Sequence, residues 1–292
     1  MEFWRRAANP WGEEVLIGIS WDLMWAAVVA AVLFLAGHAL WIKTRPAEVL
    51  DAGATDDAPS GIPERIERHS LAARIFHWTM AVSMIALLVT AFMPLVGIQF
   101  PWIELHWMAG LLLTASVLYH MVHAVGWQDF WSMFQLGVDE GVAKLKHILS
   151  SDAPTPKAGK YPFDHRMYHH AIVVVTFAAI VTGGLMMVRI DTPFWASNPY
   201  FLADSTWGVM YVVHGLSGVS LIFLIASHIY FAIRPEKRWI TWSMFRGWVD
   251  REHYLAHHDP EKWIVTEGST PSGETGTGAI ADSAVAAPRE QD

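Results

Sequence analysis

Residues 212–229, VVHGLSGVSLIFLIASHI, form an apolar run interrupted by two histidines, His214 and His228. Fourteen residues at 100° each carry an α-helix through nearly four whole turns, so the two imidazoles share one side and stand ~21 Å apart along the axis. One face of one membrane-length helix is thereby able to ligate two metal centres stacked through a bilayer. Gly218, one turn after His214, leaves a flat spot where a large planar group can approach. The apolar run around 103–125 repeats the arrangement with His106, Gly110 and His120. Two helices with the pattern His-x13-His, each with a glycine four residues after its first histidine, point to a bundle holding two bis-histidine haems.

Composition agrees with a membrane setting. The 292 residues are 53% hydrophobic and only 16% charged, with a positive mean hydropathy, which sets the chain apart from soluble domains. There is no cysteine. That excludes an iron-sulfur cluster, a thioether-attached haem or a disulfide within this chain, and leaves non-covalent haem held by nitrogen ligands or by methionine. The net charge of -8 lies in loops and tail with no basic patch, so no nucleic-acid partner is expected. Several of the 16 tryptophans fall near the ends of the apolar runs, as in an interfacial belt.

Taken in order, residues 1–19 are short and polar at first, with Arg5 and Arg6. Five apolar runs follow, each long enough to cross a ~30 Å hydrocarbon core: about 20–42, 75–93, 103–125, 169–188 and 209–233. The expected domains are an N-terminal transmembrane helix (1–45), a Pro/Gly/Asp/Ala-rich linker (46–68), a four-helix unit (69–263) and a disordered Gly/Ser/Thr/Ala tail (264–292). Between the third and fourth runs, apolar residues recur at three- and four-residue steps over 127–149, which predicts one amphipathic interfacial helix. The fold class is an all-α integral membrane protein: a four-helix dihaem bundle plus an extra N-terminal transmembrane helix.

Lysine and arginine cluster in the connectors 43–74 and 126–168 and after residue 233. The positive-inside rule then puts these segments in the cytoplasm and the N-terminus outside, with the lipid bilayer of a prokaryotic inner membrane as the solvent. His106 and His214 fall near the outer surface, and His77, His120 and His228 near the cytoplasmic one. The outer pair is therefore His106 with His214. His228 has two candidate partners, His77 and His120. Ionisable groups at such depths are costly and mark function.

RIFHW (74–78), HWMAG (106–110), GKY (159–161), VVHGLSG (212–218), IASHIYFAI (225–233) and SMFRGWVDREHYLAHHDPEKW (243–263) resemble the b-type cytochrome (gamma) subunit of membrane-bound formate dehydrogenases. Cytochrome subunits of nickel-iron hydrogenases and thiosulfate reductases share the histidine logic. The resemblance implies two haem b groups, with outer iron on His106 and His214 and inner iron on His77 and His228, and with Gly110 and Gly218 packing against haem. It implies an iron-sulfur subunit and a molybdenum or tungsten catalytic subunit on the extracytoplasmic side, and a quinone as exchangeable substrate beside the inner haem, near the segment after GKY. Here that segment is PFDHRMYHH (162–170), a departure from the Asn-Ala-Gly-Gln type of sequence usual there. Asp164, His165 and His169 are its candidate quinone-site residues, because reducing a quinone takes two protons that carboxylates and imidazoles can relay.

Arg74 and Arg189, at the inner and outer ends of their runs, are candidate partners of haem carboxylates. His38 and His123 read as interfacial or interhelical. The expected function is electron transfer between an extracytoplasmic dehydrogenase and the quinone pool. Rival readings are a hydrogenase cytochrome, a quinol-oxidising thiosulfate-type reductase subunit and, from another class, a histidine-based metal transporter.

Overall fold

A computed structural model describes residues 2–44, 61–127, 130–149 and 157–265. Residues 46–60 of the expected linker (46–68) and 266–292 of the expected tail (264–292) lie outside the described residues. Five described helices are long and apolar enough to cross a membrane: α1 (Trp21–Lys43), α2 (Leu71–Phe92), α3 (Trp102–Trp127), α6 (Phe163–Met186) and α7 (Asp204–Ile233). Ser20 and Ser70 start α1 and α2 by accepting hydrogen bonds from the backbone N–H of Leu23 (3.1 Å) and Ala73 (3.3 Å), which satisfies donors that the first turn leaves open. Between 11% and 17% of each apolar window is buried within the chain. The remaining apolar surface needs an apolar solvent, so the chain is a multi-pass membrane protein.

Helix α2 packs along α3, and α6 along α7. Met84, Leu113 and Leu221 form the shared core, surrounded by Leu87, Val117, Ile172 and Ile225. Helix α1 lies against α7. The architecture is an all-α membrane bundle with two small two-stranded antiparallel sheets attached.

Three segments differ from the sequence reading. Residues 1–19 contain an antiparallel hairpin, β1 (Trp4–Ala8) with β2 (Glu14–Ile19). Its turn is fixed by the Asn9 side chain, whose Oδ1 accepts from the N–H groups of Trp11 and Glu13. Strand β2 runs against α7, with Leu16 seated at Gly208 and Ile19 at Gly215. The amphipathic stretch expected as one helix is two, α4 (Phe130–Phe134) and α5 (Val138–Leu149). Gly137 separates them with φ 57°, a left-handed turn that apolar periodicity does not register.

The third difference is a small folded cap after α7. Strand β3 (Arg65–Glu67) pairs with β4 (Trp248–Asp250), and α8 (Arg238–Arg246) and α9 (Arg251–His257) complete it. Its core is Ile62, Ile66, Val249, Tyr254 and Leu255, flanked by Trp239 and Trp263. Residues 61–68, expected in the linker, are thus part of the cap. Arg68 is 3% exposed and lies between the Trp239 and Trp263 rings. Its Nη2 donates to the Lys160 carbonyl (3.1 Å) and its Nη1 to His258 Nε2 (3.0 Å). His258 Nδ1 in turn donates to the Gly159 carbonyl (2.8 Å), and accepting from Arg68 at Nε2 requires a neutral ring. Burial and the Arg68 guanidinium push His258 down to about 3.

Candidate functional site

The two histidines expected on the outer side face each other across the bundle. His106 on α3 and His214 on α7 have ring centres 6.2 Å apart with planes at 71°. Each is steered by a threonine on a neighbouring helix. Thr90 on α2 donates its only hydroxyl proton to the Ala86 carbonyl (2.7 Å) and lies 2.8 Å from His106 Nδ1. Thr182 on α6 donates to the Ala178 carbonyl (2.6 Å) and lies 3.0 Å from His214 Nδ1. With the hydroxyl proton already used, each oxygen accepts from Nδ1–H, so the lone pair of each ring sits on Nε2. Two neutral imidazoles are therefore presented in the tautomer that ligates through Nε2. Gly183 makes room for this, since a Cβ there would stand 3.1 Å from His214 Cε1.

At the other end of α7, His228 faces His77 of α2, with ring centres 6.3 Å apart and planes at 50°. His228 is also stacked on Tyr168 of α6 (5.2 Å, 22°), whose hydroxyl donates to the Leu224 carbonyl (3.2 Å). The buried Nδ1 of His77 has no hydrogen-bond partner. His120, the other candidate partner of His228, faces His169 of α6 instead (6.4 Å, 80°). Phe76 lies flat on its ring at 4.2 Å. Among the described residues no group of three or more His, Cys, Asp or Glu side chains is placed to hold a metal ion; the histidines meet in twos.

Glycines 110 and 218 border open space, and a Cβ there would meet only ordinary contacts, Leu87 Cδ2 at 3.9 Å and Phe92 Cζ at 4.0 Å. Asp164, His165 and His169 occupy the first two turns of α6, but Asp164 is drawn to Lys144 of α5 in an ion pair of 2.7 Å. His169 is walled by Phe134 (5.5 Å). Arg74 bonds the Phe245 carbonyl, and Arg189 donates to the Tyr211 hydroxyl (2.7 Å) and stands over the Trp207 ring. His38 bonds Tyr230 (3.0 Å) and so ties α1 to α7. His123 stacks between Tyr119 and Trp127 on its own helix.

A family profile described as prokaryotic cytochrome b561 matches residues 68–247. The chain belongs to the prokaryotic cytochrome b561 family. No curated protein matches it significantly. The match takes in α2 to α8 and leaves out the N-terminal hairpin, α1 and the β4–α9 part of the cap. The protein is a b561-type membrane cytochrome, a haem b protein of electron transfer.

The residues present fit that cofactor. Two imidazoles on opposite faces of one metal, with metal–nitrogen bonds of ~2.0 Å, have ring centres roughly 6 Å apart. Both α7 pairs meet that spacing, and the threonine bonds give the outer pair the required tautomer. Thr90, Thr182 and Gly183 carry no sequence signal of their own. Threonine in an apolar helix ordinarily bonds back to its own backbone, and these two do so as well.

Proposed function

We propose that the protein is a dihaem cytochrome b subunit of a respiratory complex, carrying electrons between an extracytoplasmic formate-dehydrogenase-like enzyme and the quinone pool. The observation that supports it best is the double pairing on α7. His214 with His106 and His228 with His77 are two bis-imidazole sites on one rigid helix, ~21 Å apart along its axis. Haem b, when bound, would supply an iron that accepts imidazole nitrogens and changes oxidation state by one electron.

The chain's own residues do the rest. His106 and His214 would hold the outer group and His77 and His228 the inner one, with Gly110 and Gly218 leaving space beside its plane and Gly183 making room for the His214 ring. Helix α7 fixes the separation between the two sites, because it provides one ligand to each. To Asp164, His165 and His169 at the start of α6 we assign proton delivery to a quinone, since imidazoles and a carboxylate suit that transfer. The opposite surface is aromatic, with Phe194, Tyr200 and Phe201 exposed and Trp11 of the hairpin against Tyr200 (6.4 Å). An iron-sulfur subunit joined to a molybdenum or tungsten enzyme would dock there. The lysine and arginine distribution favours an N-terminus outside and a C-terminus in the cytoplasm of a prokaryotic inner membrane.

The test is a reduced-minus-oxidised spectrum with pyridine-haemochrome quantification on purified protein. Two b haems per chain are expected, and His120→Ala should retain both. One haem or none in a folded preparation supplied with haem would sink the dihaem reading, and none would favour metal transport. A nickel-iron hydrogenase or a thiosulfate-type reductase serves the same histidine geometry, and the enzyme subunits that co-purify distinguish these from a formate-oxidising partner.

A further inference from the structure

Where α7 ends at Ile233, the chain makes one 3-10 turn (Pro235–Lys237) and enters α8. Helix α8 is tied to the start of α2, since Trp78 Nε1 donates to the Met244 carbonyl (3.3 Å) and Arg74 to that of Phe245. It therefore lies at the plane where both spans leave the apolar layer. Trp242 and Phe245 are each 51% exposed. Half-exposed aromatics at that depth are interfacial anchors.

Behind α8 is a cavity of about 510 Å³, within the range of small-molecule sites, roughly 300–1,000 Å³. Its walls combine cations with indoles: Lys237, Arg238 and Arg246 with Trp239, Trp242 and Trp248. The Arg246 guanidinium carbon stands 5.1 Å from the Trp242 ring centre and 5.4 Å from that of Trp248, so stacking presents it without using its N–H donors. Two carboxylates line the cavity. Glu236 is held by Arg234, and an Asp250 oxygen is 4.0 Å from His253 Nδ1. Among the described residues no carboxylate lies within ion-pair distance of Arg238 or Arg246. Two guanidinium groups with no carboxylate in ion-pair distance, one of them stacked on Trp242 and Trp248, beside indole walls at the edge of the bilayer, match a phosphodiester with its glycerol and acyl chains.

We propose that this cavity binds the headgroup of an anionic phospholipid, with Arg238 and Arg246 on the phosphate and Trp242 and Trp248 against the glycerol. The site is separate from the histidine pairs and does not depend on what they carry. The lipid headgroup shares its phosphate chemistry with any soluble phosphate, so the experiment compares both sources.

Native mass spectrometry of the haem-loaded protein, released from detergent with phosphatidylglycerol or phosphatidylcholine, reads the outcome directly. Phosphatidylglycerol adducts are expected to survive activation that strips phosphatidylcholine. The double variant Arg238→Gln with Arg246→Gln should lose them by about tenfold or more, and Arg238→Lys with Arg246→Lys should restore most of the binding. An unchanged haem spectrum in each variant reports that the bundle is intact. If the double variant lost haem, Arg238→Gln alone, at an exposed position, carries the same test. Equal retention of the two lipids, or a double variant that binds like the parent, would overturn the proposal. Full displacement of phosphatidylglycerol by millimolar inorganic phosphate would reassign the cavity to a soluble anion.

Discussion

The two histidine pairs on α7 have nearly the same ring separation, 6.2 Å and 6.3 Å, yet they are held by different means. At the outer end a threonine from a neighbouring helix accepts each Nδ1–H, so tautomer and ring rotation are both fixed by hydrogen bonds. At the inner end His228 is held by the face of Tyr168, while His77 Nδ1 has no partner. Stacking restrains the tilt of a ring but not the nitrogen that carries its proton. The His106–His214 site is thus organised polar atom by polar atom, and the His77–His228 site by packing.

The largest effect that can break this comparison is loss of a ligand. On the dihaem proposal, His214→Ala and His228→Ala should each remove one haem, and the spectrum that remains should belong to the opposite site. A variant that lost both would mean that the two ends do not load independently. Next comes the orienting bond. Partners that fix a ligating histidine are typically worth 10–100-fold in metal affinity, so Thr182→Val, which keeps shape and removes the acceptor, should weaken outer haem retention by about that factor. A haem-transfer assay to apomyoglobin measures it, and the inner signal is the internal control. Equal loss at both ends would show that the threonine acts on packing rather than on the imidazole.

A smaller effect follows from the cap, which closes only the inner end. His258 is 1% exposed and accepts from Arg68 only when neutral. Burial first, and Arg68 next, hold it at about 3, against 6.5 ordinarily. His69 is likewise held well below its usual value by burial and the charges of Arg68 and Lys160. Between these limits the unfolded segment binds more protons than the folded one, so the cap gains stability as pH rises and loses it as pH falls below about 6.5. The slope contributed by one such group is about 1.4 kcal/mol per pH unit. Protection factors over 248–263, taken after dividing out the intrinsic pH dependence of amide exchange, should therefore fall from pH 7 to pH 5, and His258→Gln should flatten the response. The β1–β2 hairpin supplies the comparison, and a parallel fall in protection there would remove the assignment to His258.

How much of this was legible in the sequence depended on range. The spans and the α7 spacing were, because an apolar run of membrane length and a fourteen-residue repeat are local facts. Which of His77 and His120 faces His228 was not, since depth along a helix does not say which side of a neighbour is near; the formate-dehydrogenase resemblance supplied the pairing with His77. The β1–β2 hairpin escaped because its strands are short and rest on Gly208 and Gly215 of α7, nearly two hundred residues away. The Arg68 cage draws on residues 160, 239, 258 and 263, and no window of sequence contains them together. Thr90 and Thr182 are the plainest case. Each looks like a helix threonine satisfied by its own backbone, and it is that as well.

The smallest expected effect tests the inner end most narrowly. Tyr168 contributes both a ring on His228 and a hydroxyl on the Leu224 carbonyl, and only the ring touches the imidazole. That carbonyl also accepts from Ser227 Oγ at 2.9 Å and sits within the helical ladder of α7. Tyr168→Phe therefore removes one bond from an acceptor that stays satisfied, a cost of about 1 kcal/mol or less, and should leave the inner haem potential and retention close to the parent. Tyr168→Leu removes the stack itself, worth ~0.5–1.5 kcal/mol beyond the area lost, and should shift the inner potential and loosen the inner haem alone. Redox titration followed at the two sites separates the cases. If Phe and Leu behaved alike, the hydroxyl rather than the ring would be what holds His228, and the inner site would be organised by a polar atom after all, as the outer one is.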